Sequence, residues 1–216
     1  TMQHTEPMHP INEPEGTALH DRGALRGALG LATVTLIGFG FLYSLAGVGL
    51  GQALFPSEAN GSQVQRDGDV VGSAWVAQPF ASTRYFQPRP SAADFNSMAL
   101  SGSNQARTNP DLRSRLAQTR ATVAGREDVE AASLPFDLLA ESGSGIDPHI
   151  SPEGARVQAA RVARSRGVDP HRIERLLAEH TEPRQLGVLG QPRVNVLQLN
   201  LALDAADVTT PSAQHR

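Results

Sequence analysis

Asp147 and His149 stand two apart, directly after a glycine-serine run, Ser142-Gly143-Ser144-Gly145. A carboxylate beside an imidazole is the pairing that orients a general base. Gly-Ser backbone is the material of nucleophile elbows and phosphate-binding loops. The spacing fits neither. An elbow needs Gly-x-Ser-x-Gly and a phosphate loop needs its Lys-Ser/Thr pair, so the run reads as a tight turn leading into Asp147-Pro148. Metal ligation by Asp147 and His149, or by His180 beside Glu182, lacks a second pair at a spacing such as His-Glu-x-x-His. The other reading is that Asp147 and His149 cap and orient a helix starting at Ser151. We expect neither a catalytic residue nor a metal site belonging to this chain alone.

Composition narrows the chemistry further. The 216 residues include no cysteine, and all 19 basic residues are arginine. Disulfide scaffolds, thiolate metal sites, cysteine nucleophiles, lysine Schiff bases and the P-loop lysine are thereby excluded. A net charge of -3 and a pI near 6.1 argue against a nucleic-acid binder. With 39% hydrophobic and 19% charged residues, one globular domain of ordinary size is expected, not a disordered, collagenous or coiled-coil chain.

Two further features point outward. The run Leu100-Ser101-Gly102-Ser103-Asn104-Gln105 is similar to the Leu-Ser-Gly-Gly-Gln loop with which ABC-type ATPases touch a γ-phosphate. No Walker elements accompany it, and the run reads as a polar loop before the next helix. Arg156, Arg161, Arg164, Arg166, Arg172 and Arg175 crowd two helices. They form either a docking patch for an anionic partner or headgroup, or a solvated face.

Behind these residues stand the elements that position them. No charge interrupts the sequence between Arg26 and Glu58, and Ala28 to Phe55 is apolar with small residues interspersed. About 20 such residues cross a membrane as a helix. A cleavable signal peptide ending near Ser44-Leu45-Ala46 is the rival, but the apolar run continues to Phe55. We therefore expect an uncleaved anchor. Gly47 and Gly51, with Gly49 between them, would permit close approach of a neighbouring helix in lipid. Arg22 and Arg26 precede the span and the next arginine is Arg66. The positive-inside rule then leaves the N-terminus in the cytoplasm and the bulk of the chain outside.

The spacing predicts three helices beyond the anchor. Asn109-Pro110 opens one that lasts until Gly125, Ser151-Pro152 one that ends at Gly167, and Asp169-Pro170 a third carrying Ile173, Leu176, Leu177 and His180. Val70, Val71, Trp75 and Val76 suggest a half-buried strand, and Gln78 to Ala92 a proline-rich loop. Residues 193–204 suit helix and strand alike, and those after Asp204 read as a frayed tail. The expected architecture is a single N-terminal transmembrane helix plus a mixed α/β extracytoplasmic domain. Its parts are a cytoplasmic tail (1–26), the helix (27–55), the domain (56–204) and a C-terminal tail (205–216).

The order of the motifs is itself recognisable. After the single span come LFPSEANGS, RYFQPRPSA, SGSN, ESGSGIDPHISP, RVARSRG, HTE and GQPRVNVLQLNLALD. From about Arg26 to Asp204 the chain resembles the C subunit of the bacterial high-affinity potassium-transporting Kdp ATPase, most specifically from Ser142 to Pro152. The resemblance implies an accessory subunit, not an enzyme on its own, in a plasma (inner) membrane. Its partners would be a potassium-channel-like A subunit, a P-type ATPase B subunit, a small F subunit and membrane lipid. ATP and potassium would be handled by the complex. It also implies a catalytic chaperone that raises the ATPase subunit's nucleotide affinity, for which Ser101, Asn104 and Gln105 would be the contact. The inferred topology opposes direct ATP contact and leaves assembly as the alternative role. Arg89, Asp147, His149 and Asn195 fall within the matched motifs, where they would serve partner contact or local structure. The reading from another class is a membrane-tethered periplasmic hydrolase or binding module using Asp147, His149 and a serine.

Overall fold

In a computed structural model, which describes residues 21–208, the apolar run is helical throughout. It comprises α1 (Asp21–Thr35), a π-helical stretch (Leu36–Leu42) and α2 (Tyr43–Leu54). Gly23–Leu54, 32 residues, is long and apolar enough to cross a membrane, at about 1.5 Å per residue against a hydrocarbon layer of about 30 Å. Leu29, Phe39, Val48 and Leu54 are all exposed on it. Thr33, within the apolar part of α1, is satisfied locally, its Oγ1 donating to the Leu29 carbonyl at 2.8 Å. In the π stretch, which holds Gly38 and Gly40, the ladder widens by one residue: the Tyr43 N–H reaches back to Gly38. A short helix, α3 (Pro56–Ala59), follows, and the chain divides into two units after Ala59.

The second unit opens with the hairpin β1 (Gln63–Arg66) and β2 (Asp69–Ser73), which turns at Asp67-Gly68 with both residues at positive φ, the geometry this dipeptide favours. Of the predicted strand residues, Val70 and Trp75 are exposed and Val71 is half-buried. Three helices follow where proline and a capping side chain coincide: α4 (Pro110–Glu127), α5 (Pro152–Arg166) and α6 (Pro170–Glu179). Asn109, Ser151 and Asp169 each accept a backbone N–H from the first turn. Gly167 closes α5 with φ +67. Gly125 does not close α4. The helix runs to Glu127, whose buried carboxylate is held from α5, and Asp128 takes the left-handed position instead.

The last segment uses both of its periodicities in turn. β3 (His149–Ile150), β4 (Thr181–Glu182) and β5 (Arg193–Asn195) form an antiparallel sheet in the order β3-β5-β4. At Asn195 the backbone switches to α7 (Val196–Val208), whose Val196, Leu199 and Leu203 are buried. Helix thus continues past Asp204, with Arg172 donating to the Ala206 carbonyl; the rest of the expected C-terminal tail, and residues 1–20 of the N-terminal one, lie outside the described residues. The core joins Phe86, Leu138, Leu139, Ile150, Val162, Ile173, Leu177, Val194 and Leu199. One long apolar N-terminal helix with a mixed domain of helices and small sheets is the architecture expected from the sequence.

The proline-rich stretch has no sheet partner among the described residues, yet side chains serve its backbone from Thr83 to Gln87. Asn200 accepts from the Phe86 N–H at 2.8 Å and donates to its carbonyl at 3.0 Å. Gln158 does the same for Gln87, at 2.8 and 3.1 Å. Arg161 donates to the carbonyls of Thr83 and Tyr85, and Arg166 to that of Arg84. Two amide side chains and two guanidinium groups thus stand in for a neighbouring strand, which lets fully buried Phe86 enter the core without orphaned peptide groups.

Candidate partner-docking site

β3 and the loop before it bring Asp147 and His149 to the edge of the small sheet, where the β3–β5 register sets His149 opposite Asn195. Asp147 Oδ1 accepts from the His149 backbone N–H at 3.0 Å and lies 3.2 Å from His149 Nδ1. Arg89 approaches from the proline-rich stretch, its Nη1 at 3.4 Å from Asp147 Oδ2 and its Nη2 at 3.4 and 3.3 Å from the carbonyls of Ala140 and Glu141. Burial pushes the Asp147 carboxyl up, but hydrogen bonds from the His149 ring and backbone, with the charges of His149 and Arg89, hold it below the ordinary range. Trp75 leans over the imidazole, ring centres 5.8 Å apart.

Neither Asp147 nor His149 caps α5. Ser151 is the cap, and Asp137, which the sequence reading missed, holds it: its carboxylate takes the Ser151 N–H at 2.7 Å and the Ser151 hydroxyl at 3.0 Å. Asn195 joins three elements. Its amide donates to the Ala74 carbonyl at 2.7 Å and its oxygen accepts from Gln198 N–H at 3.1 Å, tying the β2 end to β5 while capping α7.

The glycine-serine run is a tight turn, held from several sides. Ser91 Oγ donates to the Gly145 carbonyl at 2.6 Å, Ser142 N–H to Pro90 and Ala77 N–H to Ile146. Gly145 has φ +79, and a Cβ there would lie 2.7 Å from the Ser101 carbonyl. Ser101 to Gln105 therefore stacks directly on this turn, with a Cβ on Gly102 also excluded by the Gly143 carbonyl at 2.8 Å. Within it, exposed Ser101 Oγ donates to the Gly102 carbonyl, Gln105 Oε1 accepts from Arg115 at 2.8 Å, and exposed Asn104 occupies a left-handed turn position. Arg115 also pairs with Glu141 at 3.1 Å. Arg89, Asp147, His149 and Asn195 thus converge, and the Ser101–Gln105 loop is linked to them through residues 141–147. Gly47 and Gly51 lie on α2, one turn apart and open on their Cα side.

His149 Nε2 is buried and has no hydrogen-bond partner among the described residues, so no serine hydroxyl stands where a triad requires one. The described residues hold no group of three His, Asp or Glu side chains suited to a metal ion. Arg89, Asp137, Asp147, His149, Ser151 and Arg193 border a cleft of about 400 Å³. The arginine patch, by contrast, is partly internal. Arg161 is buried against Glu127 at 2.8 Å, and Arg166 meets Asp204 at 2.9 Å while lying 5.0 Å from the centre of the Tyr85 ring.

Comparison with known proteins follows the same boundaries. Residues 25–205 match the family described as KdpC: K+-transporting ATPase, c chain. A potassium-transporting ATPase KdpC subunit of Xanthomonas oryzae pv. oryzae is 58% identical over 188 residues, covering 87% of this chain and 90% of that protein. The subunit of the same name from Xanthomonas axonopodis pv. citri is 56% identical over 189 residues (87% and 92%), and that of Shewanella putrefaciens 49% over 180 (83% and 88%). With the apolar helix and the whole Asp147–His149 region inside the matched span, the chain belongs to the KdpC family.

Proposed function

We propose that this chain is a non-catalytic subunit of an ATP-driven potassium uptake complex in the bacterial inner membrane. Its partners there are a channel-like A subunit, a P-type ATPase B subunit and a small F subunit. The carrying observation is the family match from residue 25 to 205, which takes in both the apolar helix and the folded domain. The helix anchors the chain in lipid once, with the N-terminus cytoplasmic and the domain outside, as the arginine placement favours. Anchor and domain then form two linked attachments to one assembly, each raising the effective concentration of the other.

Any rise in the ATPase subunit's nucleotide affinity travels through assembly. The engagement of Gln105 by Arg115, and of Ser101 by its own loop, supports this over direct contact. The test is co-purification of the tagged full-length chain in mild detergent from potassium-limited cells, with ATPase assayed. Recovery of a P-type ATPase chain and a multi-span chain, with potassium-stimulated hydrolysis whose ATP KM rises when this chain is omitted, is the expected result. A chain emerging alone, without ATPase, overturns the proposal.

A further inference from the structure

The β1–β2 hairpin is fastened to the rest of its domain chiefly by polar ties. Val64 and Val71 are half-buried and Val70 is exposed, so no apolar side chain between Gln63 and Ser73 enters the core. Arg66 Nη1 donates to Asp204 Oδ2 on α7 at 2.7 Å, and Gln78 Nε2 to the Val71 carbonyl at 3.1 Å. The Arg66 side chain is 46% exposed, and an ion pair in that setting holds weakly. Beneath the hairpin the packing is incomplete. A cavity of about 180 Å³ lies between Arg66 and Val71 on one side and Phe80, Tyr85, Leu197 and Leu201 on the other. A second, of about 400 Å³, flanks the Arg66–Asp204 pair at Gln65 and Ala205. Elements with few buried apolar contacts are the ones that open while the rest of a fold stays intact.

We propose that the hairpin is a releasable strap, which lifts from α7 as a unit while the core stays folded and so lengthens the tether between membrane helix and domain. Arg66 and Asp204 are its clasp. Asp204 keeps its place when the clasp opens, because Arg166 and Tyr85 also hold it, at 2.9 and 3.0 Å. Arg66 passes into water, so release strands no charge. The hairpin's position in the chain gives the release its consequence. With the strap down, the Ser62 carbonyl is fixed to the domain by the Ala74 N–H at 2.9 Å, and Ala74 is held in turn by Asn195 at 2.7 Å. With the strap lifted, Ala74 becomes the first fixed point. Residues 63–73 then join the tether and add up to about 36 Å of reach, at about 3.3 Å each. An anchor that shifts in the membrane then need not drag the domain with it.

The chain has no cysteine, so single introduced thiols report the opening cleanly. Leu197→Cys places one under the strap, where a Cβ on Gly72 would lie 3.1 Å from the leucine side chain. Ala163→Cys places one in the core on α5. In the full-length chain in lipid nanodiscs, a water-soluble thiol reagent should modify Leu197→Cys at least about a hundredfold faster than Ala163→Cys. Adding Arg66→Gln should speed the first about threefold and leave the second unchanged. Equal rates at the two positions, or an Arg66→Gln effect that is absent or shared by both, overturns the proposal, since the hairpin then opens only when the domain unfolds. Should Leu197→Cys melt more than about 3 °C below the parent, hydrogen exchange of the unsubstituted chain decides. The amides of β1 and β2 must then exchange ahead of those of β5 and α7, and exchange at the α7 rate overturns the strap.

Discussion

Two polar clusters of the same domain differ in how completely they are closed. Around Arg161, within α5, every group is placed: its guanidinium meets Glu127, Gln158 and two carbonyls, and the two side chains of the ion pair are 6% and 0% exposed. Around Arg89 and His149 the contacts are long, the groups half-exposed, and three nitrogens lack partners. A closed network serves the fold that contains it. An open one, with long contacts and half-exposed groups, contributes less to the fold that carries it.

The contrast is broken or sharpened by substitution. Arg161→Met leaves the buried Glu127 carboxylate with Arg126 as its one remaining ion-pair partner among the described residues and strips the Thr83 and Tyr85 carbonyls of their donor; it should cost about 3–5 kcal/mol, measured by urea unfolding of the purified chain, and a loss under about 1 kcal/mol would mean the network is not closed. Asn200→Leu strips both peptide groups of Phe86 of their partner and should cost about 1–3 kcal/mol in the same assay. Asn195→Ala, which frees the Ala74 carbonyl and uncaps α7, should cost about 1–2 kcal/mol. At the bottom, Arg89→Gln should change stability by less than about 1 kcal/mol, its effect appearing in complex yield instead.

Acid offers an independent handle on a third cluster. Asp204 is partly buried, which pushes its carboxyl up, but hydrogen bonds from Arg166, Arg66 and Tyr85 bring it below the ordinary 3.8. A depressed carboxyl contributes stability that is full above its unfolded value and is lost as pH falls through its folded one. Unfolding midpoints should therefore drop below about pH 4 in the parent and less steeply in Asp204→Asn. Parallel acid limbs would remove Asp204 from the account.

The three capped helices were legible because a side-chain acceptor followed by proline is a local signal, complete within a few residues. The interior of α5 was not. Arginines at 156, 161, 164 and 166 look alike in sequence, and only the stripe of Ala155, Ala159, Val162 and Ala163 beside Arg161 shows that it turns inward. Gln158 and Asn200 gave no warning either, because an amide replacing a strand is defined by a segment far away in the chain. Asp67-Gly68 was a readable hairpin turn that went unread. The candidate site was legible as a pairing of Asp147 with His149, but Asp137, which holds the Ser151 cap of α5, lies ten residues before Asp147 and carries no motif. Family resemblance supplied Arg89 and Asn195, which spacing alone would not have singled out.

The clasp on Phe86 also governs the order in which the domain can be completed. Its two hydrogen bonds join residues 114 apart in sequence, and that from Asn195 to Ala74 spans 121. Closing loops of that length is entropically costly and slow, so these contacts belong to the late stage of folding. A nascent chain leaving the ribosome N-terminus first can hold Thr83–Tyr85 and Gln87 once α5 has emerged, but cannot close the clasp on Phe86 until α7 follows. α7 is thus a keystone: until it is in place, Phe86 enters the core without its clasp and the domain stays incomplete.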